Sequence, residues 1–354
     1  MVHHGYVEQL IEEIRCQSAY YQGYGVTTVF LGGGTPSILK AEEIQSIMET
    51  VKQSFCLETG AEVTIEANPG TVTADKLKAY IQSGINRISI GLQSADNKEL
   101  KLLGRIHTYE EFLKTYQRVR LAGFTNVNVD LMSALPGQTL ATWKSTLKKV
   151  AMLKPEHISA YSLILEEGTP FYEKYKDHPE LLPDEDTERE MYYATKAFLQ
   201  DQGFERYEIS NYAKSGYECR HNVGYWTGTE YLGLGLGASS YIQGFRFRNE
   251  PELKNYQRIN MRAADADERL HQEIVKLSDK EKMEEFMFLG LRMTKGVSGS
   301  EFLERFGLNM WNVYGDVLRN LQANHLIVVE SPYVRLSEFG IDISNYVLSE
   351  FLLD

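Results

Sequence analysis

The run Val26-Thr27-Thr28-Val29-Phe30-Leu31, followed directly by Gly32-Gly33-Gly34-Thr35-Pro36, decides the fold class of this chain. Its first six residues are β-branched or apolar, which is typical of a buried strand. The three glycines let the backbone approach a ligand closely and present N–H and C=O groups to it. A plain tight turn is the alternative interpretation. The segment matches neither a phosphate loop nor a dinucleotide-binding fingerprint.

The same order of strand and helix signals repeats through the first half of the chain. Further strands are predicted at 62–66, 87–91, 126–131 and 157–162, with helices at 6–21, 41–55, 74–82, 109–122 and 140–153. This alternation predicts an α/β fold with a parallel sheet. Polar residues or glycines stand at the C-terminal end of each strand, which favours a barrel over a doubly wound sheet. Because the chain opens on a helix, either the first strand is missing or the barrel is partial.

The pattern changes after Pro170. A long helix is predicted at 184–202, and an aromatic, glycine-rich stretch follows at 207–247. From Ser278, which begins a capping-box pattern with Glu281, the chain is again helical and ends in two short β runs that resemble a winged helix. The predicted domains are therefore a partial barrel at 1–170, a connecting region at 171–277 and a winged-helix-like region at 278–354.

Composition excludes several classes of protein. The 354 residues carry a formal net charge of -12 without a basic cluster, which disfavours a nucleic-acid partner. There is no apolar run that could span a bilayer and no secretory signal pattern, so we expect a cytoplasmic location without a membrane segment. Cys16, Cys56 and Cys219 are odd in number and widely spaced, so they form no disulfide framework.

Four polar residues at or near the predicted strand ends are candidates for a ligand pocket. Glu66, Gln93 and Asp130 each close a strand, and Arg105 follows in Leu103-Gly104-Arg105. A carboxylate can accept hydrogen bonds from ribose hydroxyls or an ammonium group, and a guanidinium group suits a carboxylate. Each residue alone is typical of a solvated or structural side chain. Together they predict one pocket for a zwitterionic, sugar-bearing ligand.

Several long segments, in order, resemble one protein family. They are Val29–Ser37, Asn86–Ser94, Asp130–Thr139, His157–Leu163 and Glu167–Tyr172. They resemble the radical S-adenosylmethionine family that contains oxygen-independent coproporphyrinogen III oxidase and the HemW-type heme chaperones. The resemblance covers nearly the whole chain from Tyr6 onward and implies a partial (β/α)6 barrel of the TIM type.

The resemblance also implies roles for the pocket residues. Gly33, Gly34 and Thr35 would contact the methionyl part of S-adenosylmethionine. Arg105 would bind its carboxylate, Glu66 or Gln93 its ribose, and Asp130 would lie around the same ligand.

The segment Cys219-Arg220-His221-Asn222-Val223-Gly224-Tyr225-Trp226 resembles the His-Asn-x-x-Tyr-Trp pattern of the HemW-type members. An imidazole is a good iron ligand, and Tyr225 and Trp226 offer flat apolar faces to a porphyrin. The resemblance thus implies that heme is bound, with His221 as a candidate ligand, and delivered to an unidentified recipient protein. The alternatives are that the segment only fixes a turn and fills the core, or that Cys219 supplies a thiolate ligand.

One departure from the family concerns the iron–sulfur cluster. Family members carry C-x-x-x-C-x-x-C after the first barrel strand, and these thiolates hold a [4Fe–4S] cluster. This chain has no such motif, so we expect neither a cluster nor radical catalysis from it, and no metal ligands. It would be an N-terminally shortened product or a natural relative without the cluster. A radical oxidase of coproporphyrinogen III and a non-catalytic, partner-binding barrel are the alternative functions.

Overall fold

A computed structural model describes residues 2–353 of the chain. These residues fold into two compact units, and each unit combines segments that are distant in sequence. The first unit contains the residues up to Val29, Leu39–Glu62 and the chain from Cys219 onward. The second unit contains Phe30–Ile38 and Val63–Glu218. The predicted three-part division of the sequence stays a prediction.

The strands and helices of the described residues are numbered in chain order. The strands are β1 Gly25–Leu31, β2 Cys56–Ala67, β3 Arg87–Gln93, β4 Val127–Ser133, β5 His157–Ser162, β6 Glu205–Arg206, β7 Asn211–Ala213, β8 Ser239–Ile242, β9 Phe245–Asn249, β10 His271–Lys276, β11 Val297–Ser298, β12 Ile327–Glu330 and β13 Tyr333–Leu336. The helices up to the second half of the chain are α1 Val2–Gln17, α2 Ala41–Ser54, α3 Ala74–Gln82, α4 Asn97–Leu102, α5 Tyr109–Ala122, α6 Leu140–Ala151, α7 Pro170–Tyr175 and α8 Glu185–Asp201. They continue with α9 Arg220–Trp226, α10 Leu253–Tyr256, α11 Ala266–Leu270, α12 Asp279–Gly290, α13 Gly299–Phe306, α14 Met310–Ala323, α15 Glu338–Asp342 and α16 Ser344–Ser349. Short 3-10 helices occupy Ser18–Tyr21, Pro36–Ile38 and Pro179–Leu181.

The largest sheet has the strand order β1-β2-β3-β4-β5-β7-β6. Strands β2 to β5 pair in parallel, whereas β7 pairs antiparallel with both β5 and β6. The predicted α/β class with a partial barrel is confirmed. The sequence did not predict β6 and β7, because strands of two and three residues carry no readable alternation.

The strands of the second unit are buried on both faces, one face apolar and the other carrying buried polar side chains such as Arg87, Ser89 and Asn128. All seven residues of β3 are buried, as expected for a parallel strand covered on each side. The helices that follow begin at side-chain caps, such as Thr73 before α3 and Thr108 before α5. Each threonine accepts a backbone N–H that the first helical turn would otherwise leave unpaired. These caps fix where each helix starts.

The first unit contains two antiparallel three-stranded sheets, with orders β10-β9-β8 and β11-β13-β12. The second of these packs with α12, α13 and α14 around a buried core that includes Phe302, Tyr314 and Phe351. Ser278 and Glu281 form the predicted capping box at the start of α12. The C-terminal region is therefore winged-helix-like, as predicted. Across residues 2–353, the helices are all too short or too polar to cross a bilayer.

Candidate functional site

The glycine turn after β1 leaves open space beside its backbone. Gly33 and Gly34 have φ angles of 76° and 138°, a region that L-residues with a side chain rarely adopt. A β-carbon built on either residue would meet no described heavy atom within 4 Å. The glycines are thus required by the backbone conformation, and the space beside them is available to a ligand.

Asn68 connects this turn to Arg105. Its side-chain amide donates to the Thr35 hydroxyl at 3.1 Å, and its carbonyl oxygen accepts from Arg105 Nη1 at 3.1 Å. The Asn68 backbone N–H also donates to the Ser37 hydroxyl at 3.2 Å. The predicted ligand residues Thr35 and Arg105 therefore share one hydrogen-bonded partner. The sequence analysis missed Asn68, which stands two residues beyond Glu66 and carries no distinctive local pattern.

Gln93 ends β3 in the left-handed conformation, with a φ of 73°. The pairing of β3 with β4 shifts between Gly91 and Gln93, and such an irregularity redirects the side chains that follow it. The Gln93 amide oxygen accepts from the Tyr161 hydroxyl at 2.8 Å. A β-carbon on Gly91 would lie 3.2 Å from Gln93 Nε2 and 3.3 Å from Asn68 Oδ1. Because Gly91 has no side chain, the side-chain amides of Gln93 and Asn68 can both lie close to its backbone.

The acidic groups of the pocket influence one another. Burial raises the pKa of Glu66, the negative charge of Asp130 raises it further, and a hydrogen bond from the Gly33 backbone opposes the shift. Burial likewise raises the pKa of Asp130, although its carboxylate accepts from Ser89 at 2.9 Å and from Asn128 at 2.7 Å. Burial and the charge of Asp130 raise the pKa of Tyr161 to about 12. The predicted residues thus form one cluster.

A buried chain of hydrogen bonds through Asn128, His157 and Tyr207 leads to Asp130. Asn128, which donates to Asp130, also bonds His157 Nδ1 through its carbonyl oxygen at 2.6 Å. His157 Nε2 lies 2.8 Å from the Tyr207 hydroxyl. Burial, reinforced by the charge of Arg87, holds the pKa of His157 well below its usual range, so the imidazole is neutral. This network orients Asp130 and offers no free ring nitrogen to a ligand.

The residues of the second unit fit S-adenosylmethionine. Glu66 and Asp130 can attract its ammonium and sulfonium charges, Arg105 can bind its carboxylate, and the turn at Gly33 and Gly34 leaves room for its chain. When bound, S-adenosylmethionine supplies a cleavable sulfonium. Glu66, Arg105 and Asp130 would position this ligand and set the charge around it.

The described residues do not fit a [4Fe–4S] cluster. Cys16 lies on α1, Cys56 begins β2 and Cys219 precedes α9. Across residues 2–353, His, Cys, Asp and Glu side chains form no group of three that could hold a metal ion.

In the first unit, α9 carries the predicted heme segment. The buried Glu62 accepts the backbone N–H groups of Arg220 at 3.1 Å and His221 at 3.2 Å, which satisfies the start of the helix. His221 uses both ring nitrogens: Nδ1 lies 2.8 Å from the Thr28 hydroxyl, and Nε2 lies 2.9 Å from the Tyr225 hydroxyl. An iron ion could bind His221 only after one of these bonds opens.

The aromatic residues of α9 already contact other side chains. Tyr225 packs edge-on against Tyr231, with ring centroids 4.7 Å apart. The guanidinium of Arg292 lies 4.5 Å from the centre of the Trp226 ring. The Trp226 indole N–H is buried and has no hydrogen-bond partner among the residues described. The structure therefore brings His221 and Tyr225 together and leaves one polar atom of Trp226 for a further acceptor.

Comparison with known proteins identifies the family. The model of the radical SAM superfamily matches residues 3–150, and that of the HemN C-terminal domain matches residues 277–343. The heme chaperone HemW of Lactococcus lactis is 36% identical over 99% of this chain and 89% of its own length. This chain belongs to the HemW family. The Bacillus subtilis HemW is also 36% identical, over 92% of this chain and 85% of its own length.

The HemW family assignment confirms the resemblance found in the sequence segments. A solved structure of coproporphyrinogen III oxidase (HemN) from Escherichia coli, a radical SAM enzyme, superimposes with a TM-score of 0.84. The superposition covers 99% of this chain and 84% of the HemN chain at 24% identity, which shows a shared fold. Radical SAM proteins use S-adenosylmethionine and a [4Fe–4S] cluster as a family.

Proposed function

We propose that this protein is a HemW-type heme chaperone, which binds heme and delivers it to a recipient protein in the cytoplasm. The observation that carries the proposal is the similarity to Lactococcus lactis HemW, at 36% identity over 99% of this chain. The second unit supports the family assignment because the charges of Asp130, Arg105 and Glu66 converge close to Tyr161. A protein with the fold alone would not need these groups to converge.

We also propose which residues hold S-adenosylmethionine. Arg105 binds the carboxylate, and Glu66 or Gln93 binds the ribose. Gly33, Gly34 and Thr35 hold the methionyl part, and Asp130 adds negative charge nearby. Without cluster ligands in the described residues, this ligand lacks a strong anchor, so it binds weakly. The proposed domain division is 1–170, 171–277 and 278–354.

His221 is the proposed iron ligand of the α9 segment, with Tyr225 and Trp226 against the porphyrin. Ligation through Nε2 requires the Tyr225 hydroxyl to give up its 2.9 Å hydrogen bond. The Thr28 hydroxyl would then keep the ring oriented through Nδ1, as second partners commonly do for histidine ligands.

The experiment is a hemin titration of the tag-free full chain, followed at the Soret band. We expect saturable binding by the wild type and about tenfold weaker binding or more by His221→Ala, since an axial bond is lost. His178→Ala is the matched control, because His178 is exposed and pairs only with Glu180 among the described side chains. A wild type without saturable binding would contradict the proposed function. Equal curves for the wild type and His221→Ala would contradict only the ligand assignment.

A further inference from the structure

The first unit contains an open cavity of about 290 Å³, and its lining includes none of the candidate-site residues described above. Aromatic and apolar side chains line most of it, and one histidine is among them: Tyr20, Tyr21, Phe245, Phe247, His271 and Ile274. The polar lining includes Gln17, whose amide donates to Asp267 at 2.7 Å. The volume lies near the lower end of the range of roughly 300–1,000 Å³ found for small-molecule sites.

Strand register explains why these side chains share one wall. Residues two apart on a strand point to the same face, so Phe245 and Phe247 of β9 lie on one face of the sheet. Ile242 of β8 pairs with Phe245, and His271 of β10 pairs with Asn249, two residues beyond Phe247. The wall is therefore a continuous sheet face built from three strands.

The cavity histidine packs against this wall with its ring tilted 46° from the ring of Phe247. The His271 ring centroid lies 4.3 Å from that of Phe247, which is almost fully buried. Burial lowers the pKa of His271, although the charge of Asp267 opposes the shift, so the imidazole is neutral near pH 7. Hydrogen bonds within residues 2–353 occupy both ring nitrogens of His221 but neither of His271. A neutral imidazole with an available nitrogen is the form that ligates iron.

The rim of the cavity combines exposed apolar surface with a cation. Tyr20 and Ile274 are 63% and 58% exposed, so two apolar side chains stand beside each other at the mouth of the cavity. Lys276 pairs with Phe245 across β10 and β9, and its ammonium lies 5.7 Å from the centre of the Phe245 ring. A ligand that enters here meets aromatic faces first and a positive charge at the edge.

We infer that this cavity is a second porphyrin site, separate from the one proposed at His221, which binds the edge of a heme-type metalloporphyrin with its iron ligated by His271 and a peripheral carboxylate near Lys276. The inference rests on the proposed function, because the relatives named as heme chaperones supply the reason to consider heme. The aromatic wall suits a flat macrocycle, and the open side leaves part of the porphyrin outside the cavity. Partial burial suits a carrier, since cargo that is fully enclosed leaves slowly.

The test compares hemin with iron-free protoporphyrin IX on the full chain. We expect His271→Ala to weaken the hemin binding step at this cavity about tenfold or more and to shift the Soret maximum of that step, because the iron loses its axial bond, while the step that depends on His221 is unchanged. Protoporphyrin IX, followed by fluorescence, should bind the same variant within about twofold of the wild type, since the aromatic wall is unchanged. Added imidazole should restore the wild-type Soret spectrum of the variant. His178→Ala should match the wild type in each measurement.

The possible failures are distinguishable. If the wild type binds hemin and His271→Ala gives the same curve and spectrum, this cavity is not the site, while the proposed function stands. The same conclusion follows if imidazole leaves the variant's spectrum unchanged, or if protoporphyrin IX binding falls with hemin binding. If the wild type shows no saturable hemin binding, both the proposed function and this site are overturned.

Discussion

The guanidinium of Arg105 donates a hydrogen bond to the side-chain oxygen of Asn68 at 3.1 Å. Asn68 in turn donates to the hydroxyl of Thr35, the residue that follows the glycine turn. A guanidinium group recognises a carboxylate by its orientation as well as by its charge. Asn68 is therefore a positioning residue, which fixes the guanidinium of Arg105 relative to the glycine turn.

We expect Arg105→Ala to weaken the binding of S-adenosylmethionine about tenfold or more, because a charge-assisted hydrogen bond is lost. Asn68→Ala should weaken it several-fold, since Arg105 keeps its charge and loses its orientation. Arg118→Ala is the control, because Arg118 is an exposed residue of α5. Equilibrium dialysis at millimolar ligand measures all three. If Asn68→Ala binds as the wild type does, the positioning role is wrong.

A second prediction concerns the glycine turn. Gly34→Ala forces a side chain into a backbone with a φ of 138°, so it should lower the free energy of unfolding by about 1 kcal/mol or more. Gly224→Ala is the matched control, because Gly224 lies inside α9 and a β-carbon there would make an ordinary 3.5 Å contact with Thr229. Alanine is the better helix former, so this control should be neutral or stabilising. Urea denaturation measures both variants. Equal losses of unfolding free energy would contradict the requirement for glycine at position 34.

The buried carboxyl of Glu13 predicts a pH dependence of stability. It accepts from the Gly235 backbone at 3.0 Å, from the Asn249 amide at 2.7 Å and from the Tyr256 hydroxyl. Burial outweighs these donors and raises its pKa from 4.5 to about 7. A raised carboxyl pKa favours the folded state when the group is protonated. Its contribution is complete below about pH 4.5 and is lost as the pH rises to about 7.

Glu13→Gln removes this titration. Relative to the variant, the wild type should lose about 3 kcal/mol of unfolding free energy between pH 4.5 and 7, and nothing more above pH 7. Urea denaturation of both proteins at a series of pH values measures the difference. Parallel stability curves across that range would show that Glu13 does not titrate differently in the folded protein.

A fourth prediction concerns the start of α9. Glu62 is the acceptor for two backbone N–H groups at this helix end. Glu62→Ala leaves both unpaired and should destabilise the protein by about 1–2 kcal/mol. Glu58→Ala, at an exposed position of β2, should change stability by less than about 0.5 kcal/mol. Thermal unfolding that shifts equally for both variants would contradict the capping role of Glu62.

The sequence predicted the elements whose signal is local. The strand predicted at 26–31 is β1 Gly25–Leu31, and the helix predicted at 184–202 is α8 Glu185–Asp201, with Asp184 as its cap. The first residues of β2 escaped prediction because they are polar and exposed, without apolar alternation. Strands β8 to β10 escaped prediction because each has only four to six residues, which leaves little length for a readable alternation.

The residues of the candidate sites follow the same division. Glu66 and Gln93 were predictable because they stand at the ends of clear strands. Asn68 was not, because its role depends on partners at positions 35 and 105 that only folding brings near. His271 was not either, because a single histidine in a polar strand has no local signature and its cavity is built from three distant segments.

Heme binding by this protein is tested most directly by a hemin titration of the tag-free wild-type chain, with the Soret band and the bound stoichiometry measured together. We expect saturable binding with a Soret maximum distinct from that of free hemin and typical of histidine ligation. Absorbance that rises linearly with added hemin, with the spectrum of the free compound, would contradict a heme chaperone.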